Sequence, residues 1–160
     1  MLDGTDEQTH AAAGTLCSRR THPEVTNVET SHKVLLVGGM VSLTYGFLLG
    51  IPLTAIRTRQ PQASRHLVTA HLAAIIQGAM LIALTVAASF STLSSGLETV
   101  AASLLVCGCV LFVGGAVANW LQAVENHFAT RSLGWKLLAT SGPLNVIGIS
   151  LLLAGVLKAL

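Results

Sequence analysis

Long apolar stretches alternate with short polar ones along this chain, and the apolar stretches have the length of membrane spans. Residues 34–56 carry no charge between Lys33 and Arg57, and at about 1.5 Å per residue they cross a hydrocarbon core of roughly 30 Å. A polar segment with Arg57, Arg59, Pro61 and Arg65 turns the chain, and residues 67–90 predict a second span. Ser94, Ser95, Gly96 and Glu98 mark a loop over 91–99, after which 100–124 predict the third span, 125–136 a polar connection and 137–160 the fourth. Pro143 falls close enough to that last start to be tolerated in a first turn or to set a later start. The predicted fold is all-α: an integral membrane four-helix bundle over 33–160, behind a polar N-terminal tail over 1–32 that reads as disordered and dispensable.

Composition sharpens this picture. With 160 residues, 52% hydrophobic and 10% charged, and a mean hydropathy of +0.69, the chain needs lipid as solvent, so a multi-pass protein of the cell membrane is expected. The tail has no apolar core of signal-peptide length. A net charge of +2 with scattered basic residues excludes nucleic acid as a partner. Arg57, Arg59, Arg65, Arg131 and Lys136 on one face against Arg19, Arg20, Lys33 and Lys158 on the other barely favour cytoplasmic first and third loops. Cys17, Cys107 and Cys109 form no CxxC pair, so zinc and a structural disulfide are not implied.

Polar groups inside spans are costly in hydrocarbon and therefore point to function or to helix–helix hydrogen bonds. His71 lies about 6 Å into the second span and Gln77 about 15 Å, while Tyr45 lies about 16 Å from the end of the first. Asn119 and Gln122 near the end of the third span and Asn145 in the fourth fall in His71's half of the membrane. All four helices are thus expected to bring polar groups to one half. Gly108, Phe112, Gly115, Asn119, Gln122 and Asn126 recur at spacings that form one stripe on the third helix; His71, Ala74 and Gly78 do the same on the second. Gly39, Gly46 and Gly50 on the first, with Gly108 and Gly115, also predict close helix packing and a homo-oligomer. The pattern alone admits two readings of His71: a functional group, or a neutral imidazole hydrogen-bonded to a neighbouring helix.

The segment RHLVTAHLAAIIQGAMLIAL at 65–84, followed by GGAVANW at 114–120, resembles the hydroxylaminobenzene mutases, a family of small membrane isomerases. AHLAAIIQG at 70–78 and ANW at 118–120 carry the resemblance most specifically, and it covers about 34–160 without the tail. It implies conversion of hydroxylaminobenzene to 2-aminophenol in nitroarene degradation, with a small aromatic hydroxylamine as substrate and no added cosubstrate. A fainter resemblance reaches the styrene oxide isomerases, four-helix membrane enzymes that hold ferric haem b through a histidine of the second helix. There Asn-Gly follows that histidine six residues on, where this chain has Gln77-Gly78. It implies His71 as the haem ligand.

Moving oxygen from nitrogen to the ortho carbon needs activation of the N–O oxygen and a pocket that limits water. On the expected site, His71 or a metal it holds activates the oxygen, Gln77 and Asn119 orient the N–OH group, Tyr45 and Trp120 flank the ring, and Asn145 adds a substrate contact. Glu125, at the membrane boundary, reads as a structural or helix-end carboxylate. A proton-coupled exporter is disfavoured because the first two helices hold no Asp or Glu. A b-type electron carrier is disfavoured because only His71 lies well inside a span. A non-catalytic structural or haem-binding tetraspan protein is the alternative.

Overall fold

The computed structural model describes residues 30–59, 62–124 and 131–160. Four helices make up the fold: α1 (Thr30–Arg57), α2 (Arg65–Ala88), α3 (Ser95–Leu121) and α4 (Leu133–Ala159). All four are long and apolar enough to cross a membrane, and there is no strand among the described residues. The chain is an all-α, multi-pass membrane protein. The expectations for the tail over 1–29, and for Glu125 and Asn126, lie outside the described residues.

The helices pair as two hairpins, α1 with α2 and α3 with α4, and α3 also packs against α1 and α2, whereas α4 meets α2 only slightly. The central place of α3 follows from its sequence. It is the most apolar of the four and has the largest buried share, as expected of a helix hydrophobic all round. Small residues set the spacing within each hairpin. The buried positions of α4 include Gly134, Ser141, Gly148 and Gly155, seven apart, which is the repeat of helices packed at a shallow angle. Lipid tails give helices no hydrophobic reason to associate, so such close backbone approach supplies the dispersion contacts instead.

The helices run past the apolar stretches that predicted them. At about 1.5 Å per residue, the 27 residues of α3 reach about 40 Å, beyond a core of roughly 30 Å. Polar residues read as loop therefore form terminal turns. Glu98 belongs to the first turn of α3. Ser132 caps α4, its hydroxyl accepting from the Trp135 N–H at 3.1 Å, so that helix begins at Leu133. Pro143 consequently stands in the interior of α4 and not in a first turn; its missing N–H leaves the Ala139 carbonyl, on an exposed stretch, without its usual helical partner.

The end of α3 is built differently. Ala123 adopts a left-handed φ of 48°, its N–H donates to the Trp120 carbonyl at 3.0 Å, and the Val124 N–H donates to the Asn119 carbonyl at 3.1 Å. That is a Schellman cap with alanine where glycine is usual. The Val124 carbonyl then accepts from Nε2 of His66 at 2.8 Å, tying the start of α2 to the end of α3.

Candidate functional site

His71 sits on the face of α2 that packs against α1. Glycines on both helices make that seam tight: a Cβ at Gly39 would lie 2.8 Å from the Gly78 carbonyl, and one at Gly78 would lie 2.8 Å from the Leu43 amide. The half-buried imidazole occupies the space that Gly50 leaves, where an added Cβ would stand 3.3 Å from the ring's Cε1. Its Nδ1 lies 2.8 Å from the Gly46 carbonyl. A carbonyl only accepts, so Nδ1 carries the proton and donates, and Nε2 keeps its lone pair. Among the described residues, no group hydrogen-bonds to Nε2.

The other expected site residues distribute over different parts of the bundle. Asn119 is fully buried at the α3/α4 seam, where its Oδ1 accepts from the Ser132 hydroxyl at 2.6 Å. Its Nδ2 has no partner. Asn145 packs its amide into the space left by Gly108 of α3, and its Oδ1 is buried without a partner. Because α4 begins at Leu133, Asn145 lies about 18 Å into that helix, near mid-membrane and not early in it. Gln77 lies at the same depth in α2, one turn after Ala73 and Ala74, which belong to the edge and body of an apolar cluster shared with Val113 and Ala116 of α3. Its Oε1 is also buried and unpaired. Trp120 packs against the apolar cluster that includes Leu67 and Ala70. Tyr45 is 41% exposed and lines a groove between α1 and α3. The structure thus brings Asn119 and Asn145 to one seam, His71 to another, and Tyr45 to a third surface. The stripe of Gly108, Gly115 and Asn119 on α3 meets α4.

One polar cluster was not expected. Glu98 is 2% exposed and Ser31 fully buried; the Ser31 hydroxyl donates to Glu98 Oε2 at 3.4 Å and lies 3.5 Å from Nδ1 of His32. The signal for it was the acidic residue four places after Ser94, the position of a carboxylate in a helix's first turn near its positive dipole end.

Donor chemistry decides what His71 could hold. No group of three or more His, Cys, Asp or Glu able to bind a metal ion occurs among the described residues. A bare ion needs several protein ligands, whereas haem iron brings four nitrogens of its own and needs one or two more. A lone Nε2 with the ring's other nitrogen anchored on a carbonyl suits that second case. What the fold and geometry define, among the described residues, is a tetraspan membrane protein in which the His71 imidazole keeps Nε2 unengaged on an apolar helix. No family model, curated protein or solved structure matches the chain.

Proposed function

We propose that this protein is an isomerase of the cell membrane that rearranges hydroxylaminobenzene to 2-aminophenol in nitroarene degradation, with no added cosubstrate. The supporting observation is the His71 ring, fixed by the Gly46 carbonyl with Nε2 unengaged inside a span. Protonated, Nε2–H can give its proton to the departing oxygen as the N–O bond breaks, so that water leaves and positive charge spreads over nitrogen and ring. That water, kept beside the cation by surroundings that exclude bulk solvent, bonds to the ortho carbon. Nε2 then takes back one proton, the ring hydrogen shifts as aromaticity returns, and the product is an isomer of the substrate. Haem held through Nε2 would supply a Lewis acid for the same oxygen.

In this reading Gln77, whose Oε1 is buried without a partner, accepts from the substrate N–H or O–H only once substrate entry opens its face of α2. Trp120 is the aromatic neighbour on α3, and Tyr45, in the separate groove between α1 and α3, is not beside His71. Asn119 and Asn145, sealed at the α3/α4 seam, act by holding the scaffold. A homo-oligomer belongs to the same proposal, but its contacts must come from lipid-facing surfaces. Gly39, Gly46, Gly50, Gly108 and Gly115 are all packed within the chain. The test is conversion of hydroxylaminobenzene by purified protein in detergent. His71→Ala should lower turnover at least about 100-fold while the helical fold persists, and an absorption spectrum of the same sample reads out haem. An inert, folded wild-type protein favours the non-catalytic tetraspan reading, in which the bond to Gly46 is the whole role of His71.

A further inference from the structure

The groove between α1 and α3 has a volume of about 800 Å³. Val37 and Val41 wall it on one side and Val106 and Val110 on the other, with Leu81 of α2 at its floor. Its walls are exposed, Val41 and Val110 by more than 60%, so the groove opens sideways toward lipid. One end carries Lys33, the single charged residue lining it among the described residues, and toward the other end stand Tyr45 and Gly114. Lys33 is in the first turn of α1, at headgroup level, where the helix's positive dipole end adds to its charge. Twelve residues separate it from Tyr45, about 18 Å along the helix, close to the roughly 15 Å of one hydrocarbon leaflet.

We propose that this groove holds one acyl chain of an anionic phospholipid, with the lipid phosphate against the Lys33 ammonium and the chain end near Tyr45. The depth of the groove matches one leaflet, its walls match a hydrocarbon chain, and its single cation matches a phosphate. Among the described residues no carboxylate lines it to oppose that charge.

Native mass spectrometry of the full chain tests this, using detergent-purified protein and added dipalmitoyl phosphatidylglycerol or phosphatidylcholine. Wild type should retain one lipid per chain and prefer the anionic one. Lys33→Gln should reduce that preference about fivefold, the worth of one lysine at a charged headgroup. Gly114→Leu should leave the headgroup preference and shift retention from palmitoyl toward lauroyl chains. A Cβ at Gly114 meets nothing within 4 Å, so the larger side chain shortens the groove without a clash. Equal retention of the two headgroups by wild type overturns the proposal, as does either variant behaving as wild type. A lipid-free dimer overturns it as well, since a second copy would then cover the groove.

Discussion

The two helix hairpins are both closed by glycine, yet they treat their polar groups in opposite ways. Between α3 and α4, the amides of Asn119 and Asn145 fill the spaces left beside Gly134 and Gly108, and each keeps one buried atom without a partner. Between α1 and α2, His71 pairs with a backbone carbonyl through one nitrogen and leaves the other unengaged on a ring that is only half-buried. An unpaired polar atom sealed from water costs about 1–3 kcal/mol, so the α3/α4 seam tolerates that cost to gain contact, while the α1/α2 seam avoids it. On the proposed reading, partial access rather than seclusion marks the polar group that works.

The largest stability effect should come from the sealed seam. A Cβ at Gly134 would strike both Asn119 Oδ1 and the Gly115 carbonyl, and the latter is backbone, which cannot swing aside. Gly134→Ala should destabilise the protein by about 1–3 kcal/mol, read as a lower unfolding midpoint in detergent. If turnover per folded molecule falls as well, that seam does more than hold the scaffold.

Gly50→Ala probes the other seam, where the added methyl would meet the edge of the His71 ring at 3.3 Å. A ring can shift by a few tenths of an ångström, so the stability cost should stay below about 1 kcal/mol. If His71 carries the proposed reaction, turnover should drop about tenfold because its Nε2 is displaced. Comparing the unfolding midpoint with kcat separates the two effects. A stability loss equal to that of Gly134→Ala, with unchanged kcat, would make the seams equivalent and erase the contrast.

The number of helices and their order were legible in the sequence because long uncharged stretches report lipid contact directly. Their ends were less so. Lys33, Glu98 and Lys136 lie within helices because the backbone stays helical into the headgroup region, where a charge no longer forbids it. Which polar residues meet was legible only in part. The spacing correctly placed His71 with Gly78 on one face and Asn119 with Gly108 on another, but periodicity gives a face without naming the helix it meets. Depth arguments put these groups at similar levels, and the pairing of α1 with α2 and of α3 with α4 then assigned them to separate seams. The Ser31–Glu98 contact, 67 positions apart in sequence, left no local trace beyond the acidic residue itself.

The smallest expected effect concerns the turn that ends α3. Ala123 holds a left-handed φ of 48° at the position where a Schellman cap favours glycine, and L-residues other than glycine incur about 1–2 kcal/mol there. Glycine removes that strain but adds freedom to the unfolded chain, which takes back roughly 0.4–1 kcal/mol. Ala123→Gly should therefore stabilise the protein by about 0.5 kcal/mol, raising the unfolding midpoint by about 1–2 °C in a chain of this size. The cap's two hydrogen bonds, from Ala123 to Trp120 and from Val124 to Asn119, need no rearrangement, and the Val124 carbonyl stays in reach of His66. Nothing in the change touches His71, so turnover should stay at the wild-type value if the α3/α4 side is scaffold alone. A midpoint that rises while kcat falls would mean that motion at the end of α3 takes part in the reaction. Ala123→Val, which makes the same backbone angle harder to hold, should then move both readings the opposite way.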